Sequence, residues 1–316
     1  MPRSSWRRQR VDLLLHVPAR LPDGRRGRRP MVGPGGTAAN TARGLAALGV
    51  PTRFAGAVGD DAFGRQAAED LVAAGVDTSG LIVAGEAATC RVIALVEPDG
   101  ERSLVVWPPD GGALRWLRPR DVPPEAIAGA AWLHTTGMCL RDPPVRDTVL
   151  AAMAEARAAG VPVSIDLNLR VELWGLDATR RAIVEQAVAL ADVVLGSGPE
   201  ELLPLAAALG ASATTVEAAA AALAGGARTI VARLGGQGAL ACDAAGVVSR
   251  SAGFAVEVRN VIGAGDAFNA GFIAARVEGR PIDAALAWGN ATAALHVARD
   301  KGSSPPTRAE VEALVR

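Results

Sequence analysis

The chain has 316 residues, half of them hydrophobic, and its 33 basic residues balance its 33 acidic ones. This length suffices for one large α/β domain or two modest ones with a buried core. Lys301 is the single lysine among the basic residues, and no P-loop glycines precede it. The composition therefore excludes P-loop, protein-kinase and pyridoxal-phosphate enzymes, each of which depends on a lysine at a defined position.

Cysteine content and apolar runs indicate the compartment. The three cysteines, Cys90, Cys139 and Cys242, are too few and too scattered for a disulfide framework or a metal site. No stretch approaches the roughly 20 apolar residues of a membrane span. We therefore expect a cytoplasmic protein with no membrane partner.

Positive charge is concentrated at the start of the chain. Residues 1–30 contain nine arginines against two aspartates, Asp12 and Asp23, and so carry a net charge of +7. A basic arm can bind nucleic acid, but neither interleaved aromatic residues nor a recognised nucleic-acid motif accompanies this one. We expect residues 1–11 to form a disordered basic leader, residues 12–316 to form a single domain, and no nucleic acid to be a partner.

From residue 35 onward, helical patterns that end at glycines alternate with short β-branched runs, which predicts an α/β fold with a mostly parallel sheet. The predicted helices cover residues 37–48, 61–74, 144–159, 178–191, 216–224, 267–278, 282–298 and 307–315. The predicted strands cover residues 52–58, 161–165, 193–195 and 229–233.

Strand-like segments without helices of their own interrupt this alternation. Residues 12–17 form one, and residues 89–96 and 102–107 form a predicted β-hairpin around the turn Glu-Pro-Asp-Gly. We expect these segments, from about 12–33 and 88–110, to form a small sheet that acts as a lid.

A glycine-rich turn, Gly263-Ala264-Gly265-Asp266, precedes the predicted helix at 267–278. Such a turn aims free backbone N–H groups at an anion, while Asp266 can accept a proton, as a phosphoryl-transfer site requires. Taken alone, the turn favours an ordinary helix start at which Asp266 is the N-cap, and other motifs are needed to reverse that interpretation.

Polar residues follow the predicted strands at the carboxyl ends, where open parallel sheets bind ligands. They are Asp166, Asn168 and Arg170 after one strand, Ser197 and Glu200 after the next, and Gly235 and Gly238 after the third, which ends at Arg233.

Two separated motifs resemble those of the ribokinase-like (PfkB) carbohydrate kinases. The first is Gly-Gly-Thr-Ala-Ala-Asn at residues 35–40, continued by Ala-Val-Gly-Asp-Asp-Ala-Phe-Gly at 57–64; the second is Gly-Ala-Gly-Asp-Ala-Phe at 263–268. Between them, Asp-Leu-Asn-Leu-Arg at 166–170 is similar to a stretch of the fructokinase and 2-keto-3-deoxygluconate kinase branches. The resemblance implies a ribokinase-like three-layer sandwich with a β lid, and transfer of the γ-phosphate of ATP to a sugar or sugar-acid hydroxyl.

The resemblance also implies roles for individual residues. Asp266 would be the base, and the amides at 263–266 would form an anion hole. The sugar would contact Asp12, Gly35, Gly36, Asn40, Asp166, Asn168 and Arg170. ATP would contact Ser197, Arg233, Gly235, Gly238 and Asn290, and Glu200 would hold Mg²⁺.

The chain departs from the family pattern in four places. Residues 4–10 lack the apolar first strand of the family, so a central strand is expected to be missing. Asn260 replaces an aspartate, which leaves the use of a monovalent cation open. Ser197 replaces an asparagine near the metal, and Thr37 stands where ribokinases often have lysine, which argues against ribose.

Alternative functions can be weighed on the same residues. Residues 33–38 fit the dinucleotide pattern Gly-x-Gly-x-x-Ala, but no strand precedes them and Arg53 lies near the position of the required acid. The missing strand and Asn260 leave a non-catalytic sugar- or nucleotide-sensing relative as the alternative. We also expect a homodimer formed through the lid strands, because a small exposed sheet has edges to cover.

Overall fold

The structure is a computed structural model that describes residues 3–6, 10–16, 31–96, 102–171, 175–225 and 228–316. Its strands are β1 (Arg3–Trp6), β2 (Arg10–His16), β3 (Met31–Gly35), β4 (Thr52–Gly59), β5 (Asp77–Ala84), β6 (Arg91–Val96), β7 (Arg102–Trp107), β8 (Leu133–Thr136), β9 (Val163–Asp166), β10 (Val193–Ser197), β11 (Thr229–Arg233), β12 (Ala239–Cys242) and β13 (Val248–Ser251). Its α-helices are α1 (Thr37–Ala47), α2 (Ala62–Ala73), α3 (Pro124–Ala128), α4 (Val145–Ala158), α5 (Ala178–Leu190), α6 (Leu203–Ala208), α7 (Val216–Leu223), α8 (Ala264–Val277), α9 (Ile282–Val297) and α10 (Arg308–Val315).

The main sheet contains nine of these strands, in the order β13-β12-β11-β10-β9-β8-β1-β4-β5. From β11 to β5 the pairing is parallel, and β12 and β13 add antiparallel strands at one edge. A parallel sheet places the carboxyl ends of its strands along one edge, so the polar residues after β9, β10 and β11 lie side by side.

Helices cover both faces of this sheet. Successive residues of β10 belong to different hydrophobic clusters: Val194 packs with α4 to α7, whereas Val193 and Leu195 pack with α1 and α8 to α10. Because neighbouring side chains of a strand point to opposite faces, this alternation confirms three layers with the sheet in the middle. No helix of the described residues is long and apolar enough to cross a bilayer.

The predicted helices and strands are all present, with ends that differ by up to three residues. The largest shift is functionally relevant, because α8 begins at Ala264 and not at residue 267, which places Asp266 inside the first helical turn. Strands β1, β3, β5, β8, β12 and β13 and the short helices α3 and α6 were not predicted.

The prediction of a missing central strand is wrong. Arg3–Trp6 forms β1, which pairs in parallel with β4 and β8 in the middle of the main sheet. Residues 3–6 and 10–11 therefore belong to strands and not to a disordered leader. Arg-Ser-Ser-Trp carries little apolar signal, but the ladder is made by backbone groups, which pair with β4 and β8 despite the weak local propensity. This removes one of the two reasons for considering a non-catalytic relative.

The small sheet has the order β3-β2-β6-β7, with β2 and β6 parallel and the two outer pairs antiparallel. The predicted hairpin of β6 and β7 is confirmed. Val92 on β6 and Val106 on β7 line the large cavity at the end of the main sheet. The small sheet therefore covers that cavity, as a lid would.

Glycines set the close packing of α8 against its neighbours. A Cβ on Gly44 of α1 would lie 2.7 Å from the Ala270 Cβ of α8, and a Cβ on Gly271 of α8 would lie 2.5 Å from the Trp288 carbonyl of α9. Such distances leave no room for a side chain, so α8 is held rigidly between α1 and α9.

Candidate active site

The turn at residues 263–266 (the anion turn) begins α8. Gly263 has a φ of 85°, in the left-handed region that favours glycine. Ala264 N–H makes a long hydrogen bond of 3.3 Å to the Val261 carbonyl. Gly265 and Asp266 belong to the first helical turn, whose N–H groups point out of the start of the helix. The turn thus presents amide donors and the positive end of the helix dipole.

Asp266 lies in this first turn and is buried, with 5% of its surface exposed. Its Oδ2 accepts a hydrogen bond of 2.9 Å from Asn40 Nδ2 on α1. The Thr41 hydroxyl, which donates to the Thr37 carbonyl at 2.9 Å, lies 3.4 Å from the Asp266 backbone carbonyl. Helix α1 therefore orients the carboxylate, and the two sequence motifs meet at this point.

A cavity of about 970 Å³ lies at the carboxyl ends of β9, β10 and β11, and Asp266 and the anion turn line it. The other predicted residues that line it are Gly36, Asn40, Asp166, Asn168, Arg170, Ser197, Glu200, Arg233, Gly235, Gly238 and Asn290. Gly35 is buried in β3 and is not part of this lining. The backbone of Asp12 belongs to β2, but its side chain lies outside the described residues.

Arg233 and Asp166, predicted to bind ATP and the sugar, are engaged with each other. Arg233 Nη2 donates to Asp166 Oδ1 at 2.8 Å and Nη1 donates to Asp166 Oδ2 at 3.1 Å, with side-chain exposures of 15% and 3%. Asn269 of α8 joins the pair: its Nδ2 donates to Asp166 Oδ2 at 2.7 Å, and its Oδ1 accepts from Arg233 Nη1 at 2.8 Å. Oδ2 accepts two of these bonds and Oδ1 accepts one, so the Asp166 carboxylate is engaged mainly with Arg233 and Asn269.

Glu201 completes this buried ion cluster of Arg233, Asp166, Asn269 and Glu201. Its Oε2 lies 3.5 Å from Arg233 Nη2, and its two oxygens accept backbone N–H bonds from Leu169 at 2.8 Å and Ser197 at 2.7 Å. The carboxylate therefore ties the loops after β9 and β10 to the end of β11.

The charges of the cluster depend on one another. Burial by itself raises the pKa of Asp166, but the charge and hydrogen bonds of Arg233 hold it below its ordinary value. Burial also works against the charged form of Arg233, yet Asp166 and Glu201 raise its pKa. For Glu201, burial and then the nearby charge of Asp166 raise the pKa above its ordinary value. Arg233 and Asp166 are thus a charged pair at neutral pH.

The loop after β9 aims polar side chains into the cavity through an unusual backbone. Asn168 and Arg170 have φ angles of 41° and 50°, which are uncommon for residues other than glycine. The alternating Leu167 and Leu169 are buried at 1% and 5% exposure. The leucines anchor the loop in the core, and Asn168 and Arg170 line the cavity.

Glu200, the predicted metal ligand, is exposed where it lines the cavity, and its carboxylate accepts a hydrogen bond from the Ser197 hydroxyl. The described residues contain no group of three or more His, Cys, Asp or Glu side chains that could hold a metal by themselves. Mg²⁺ usually binds one or two carboxylates together with substrate phosphates and water. The exposed carboxylate of Glu200 at the cavity wall fits an Mg²⁺ ion that arrives with a polyphosphate.

The other end of the cavity is lined by glycines and apolar residues. Gly238 has a φ of 98°, and a Cβ there would lie 2.1 Å from the Ser251 carbonyl. Asn290 Nδ2 donates to the carbonyls of Ser251 at 3.0 Å and Ala252 at 3.2 Å, so its amide nitrogen holds the cavity wall. Apolar side chains of Val258, Val261, Ala293, Ala294 and Val297 also line this region.

A family model described as pfkB family carbohydrate kinase matches residues 11–308. The chain belongs to this family. The match covers most of the chain and includes both sequence motifs, so the predicted family and the ribokinase-like fold are confirmed.

Relatives of this carbohydrate kinase include two curated enzymes. A fructokinase of Klebsiella pneumoniae is 34% identical over 254 residues, which are 80% of this chain and 80% of that enzyme. A 5-dehydro-2-deoxygluconokinase of Bacillus subtilis (strain 168) is 30% identical over 284 residues, 89% of this chain and 86% of that enzyme. The crystal structure of a chain described as ribokinase II of E. coli, in complex with ATP and Mg²⁺, has a TM-score of 0.87 at 25% identity and covers 100% of this chain and 99% of that one.

Sequence reasoning missed three residues of this pfkB site. Asn269 follows Asp266 by three positions in α8 and therefore shares its helix face, a signal that was present in the sequence. Glu201 adjoins the predicted ligand Glu200 but is turned into the buried cluster. His296 Nε2 donates to the Ile262 carbonyl at 2.7 Å and so supports the residue before the anion turn. Burial lowers the pKa of His296, which favours the neutral ring.

Proposed function

We propose that this pfkB kinase transfers the γ-phosphoryl group of ATP to a hydroxyl group of a sugar or sugar acid. The observation that carries this proposal is the position of Asp266, whose oriented carboxylate lines the cavity beside the amides of the anion turn. A base and an anion-binding turn in one cavity are two of the elements that phosphoryl transfer from ATP requires.

The reaction uses these elements in one displacement. The substrate oxygen attacks the γ-phosphorus and forms an O–P bond, while the P–O bond between the γ-phosphorus and the β,γ-bridging oxygen breaks and ADP leaves. Asp266 accepts the hydroxyl proton, and Asn40 holds the carboxylate in place. The N–H groups of Gly265 and Asp266 stabilise charge on the transferred group, where loss of one donor typically costs about 3–4 kcal/mol.

Mg²⁺ would be held by Glu200 and the phosphates, and it would neutralise phosphate charge when bound. Gly235, Gly238 and Asn290 would border the nucleotide, and the valines and alanines of that end would contact its base. Asn260 has an amide where the family has a carboxylate, so the use of a monovalent cation stays an open prediction. The Asn260 side-chain oxygen accepts a hydrogen bond from the Ile262 N–H at 3.1 Å.

The sugar would lie between the small sheet and the anion turn, in contact with Gly36, Asn40, Asn168 and Arg170. The exposed guanidinium of Arg170 would pair with an anionic or polyhydroxylated end of the substrate. The relatives named fructokinase and 5-dehydro-2-deoxygluconokinase favour a six-carbon ketose or a keto-deoxy acid. Gly35 would act through the backbone of β3, and Asp12 remains a predicted sugar ligand.

The test is sugar-dependent release of ADP from Mg·ATP, measured with hexoses, pentoses, keto-deoxy acids and nucleosides. We expect turnover with a hexose or keto-deoxy acid at no less than about 1 per second, which is typical of kinases. Binding of a sugar without turnover, detected by calorimetry, would contradict the proposal and favour a sensor.

A further inference from the structure

The guanidinium of Arg233 lies against Gly265 of the anion turn. A Cβ built on Gly265 would lie 3.3 Å from Arg233 Cζ and 3.5 Å from both Nε and Nη1. Three guanidinium atoms at nearly equal distances from one point mean that the planar group presents its face to the Gly265 backbone. A side chain at 265 would push the guanidinium away, so the glycine permits this contact.

The buried ion cluster leaves Arg233 little freedom. Asp166 grips it with both carboxylate oxygens, Asn269 holds Nη1, and Glu201 faces Nη2. Because Asn269 belongs to α8, the same helix that begins with the anion turn also fastens the guanidinium. The cluster therefore ties the ends of β9 and β11 to the helix that presents the reacting groups.

The charge of Arg233 also interacts with three carboxylates. Asp166 and Glu201 lie 2.8 Å and 3.5 Å from Nη2, and the negative charge of Asp266 also favours the charged guanidinium. Without this positive charge, the anion turn would face two further negative groups across a buried, weakly screening region. That arrangement would lower the potential at the site where phosphate charge develops.

We infer that Arg233 is a positioning residue for phosphoryl transfer, which holds the anion turn and supplies positive charge behind it, and that it does not bind ATP directly. This inference rests on the proposed function. Asp166 and Asn269 act through Arg233, so Asp166 serves the turn and not the sugar. A buried ion pair often contributes little net stability, because removing the two charges from water costs free energy. We therefore test whether this cluster serves catalysis.

The experiment compares Arg233→Lys, Arg233→Gln and Asn269→Leu with wild type, in the presence of Mg·ATP and the sugar found in the panel. Arg250, which pairs with Glu217 at 2.8 Å on the exposed edge strand β13, provides Arg250→Lys and Arg250→Gln as matched controls. Thermal melting establishes that each variant is folded, and kcat, both KM values and the pH profile of kcat/KM are measured.

We expect Arg233→Lys to lower kcat about 10- to 100-fold, because lysine keeps the charge but loses the bidentate fork, with both KM values within about threefold. Asn269→Leu, which leaves the ion pair in place, should lower kcat about threefold to tenfold. In Arg233→Gln the acidic limb of the pH profile should move to higher pH, because the base loses a neighbouring positive charge. The Arg250 variants should match wild type.

Two results would overturn the inference. One is a kcat of folded Arg233→Lys and Asn269→Leu within twofold of wild type, with an unchanged pH profile for Arg233→Gln, which would leave the cluster a structural role. The other is an increase of more than tenfold in KM for ATP at constant kcat, which would make Arg233 a nucleotide ligand. A wild type without turnover on any sugar overturns the proposed function as well, so the two failures are distinguishable.

Discussion

At the residue scale, the site depends on a hydrogen bond between two residues that are far apart in sequence. Asn40 Nδ2 donates to Asp266 Oδ2 at 2.9 Å, across a sequence separation of 226 positions. This bond fixes the orientation of the Asp266 carboxylate relative to the anion turn. Asn40 thus sets the direction in which the base can accept a proton.

Replacing this amide should affect turnover more than stability. We expect Asn40→Leu to lower kcat about 10- to 100-fold, since a hydrogen bond to a charged group contributes about 1.5–3 kcal/mol. Steady-state kinetics would measure the change. Gln66→Leu, which removes an exposed amide bonded to Asp70 on α2, is the control and should behave as wild type. Equal kcat values for the two variants would show that Asn40 does not orient the base.

At the element scale, α10 closes the helical layer that carries α8. Its N-terminus is a capping box in which the Thr307 side chain accepts from Glu310 N–H and the Glu310 carboxylate accepts from Thr307 N–H at 2.8 Å. Arg308 on this helix donates to the Leu48 carbonyl at the end of α1 at 2.9 Å, which links α10 to the helix that carries Asn40.

The capping box predicts a pH-dependent stability. Hydrogen bonds from Thr307, and then the contact with Arg299, lower the pKa of Glu310 to about 2 from an ordinary 4.5. The contribution of a depressed carboxyl pKa is complete above the unfolded pKa and is lost as the pH falls toward the folded pKa. Glu310→Gln should therefore lower the free energy of unfolding by about 0.5–1 kcal/mol at pH 7, a small value because the group is exposed, and by less at about pH 3.

Urea unfolding at several pH values measures this difference. Glu312→Gln on the same helix, where the carboxylate reaches Arg308 only at 3.7 Å, is the matched control. A wild type and a Glu310→Gln variant that differ equally at pH 7 and pH 3 would contradict the role assigned to the ionised carboxylate.

The sequence predicted the elements with strong periodicity and missed several short strands, two of which carry little apolar signal. The Ala-rich helices were found because apolar residues recur with helical spacing and glycines end them. Strands β1 and β8, Arg-Ser-Ser-Trp and Leu-His-Thr-Thr, each contain three polar residues out of four, and they form because neighbouring strands supply backbone partners. The motifs located the cavity, but they could not show that Asp166 and Arg233, 67 positions apart, bind each other, because pairing at strand ends depends on three-dimensional proximity.

At the scale of the whole molecule, the small sheet has an exposed edge. Strand β7 ends the sheet order, and its residues Val105 and Trp107 are 46% and 51% exposed. An apolar edge strand is a template for pairing with a second chain, so we predict a homodimer formed through these sheets.

Light scattering after size-exclusion chromatography tests the dimer. We expect twice the chain mass of 32.2 kDa at micromolar concentration, and the single-chain mass for Val105→Lys, which places a charge on the edge. Val72→Lys, on the exposed face of α2, is the control and should keep the wild-type mass. A wild type with the mass of one chain would contradict the dimer.

The sheet, the lid and the helices together place the Asp266 carboxylate at the anion turn. The central claim is that this carboxylate accepts the proton of the substrate hydroxyl, and Asp266→Asn tests it most directly. The amide keeps the size of the side chain but cannot accept the proton, so we expect kcat to fall at least about 100-fold. Dissociation constants for sugar and Mg·ATP, measured by calorimetry, should remain within about threefold of wild type. A folded Asp266→Asn variant whose kcat lies within tenfold of wild type would contradict the account.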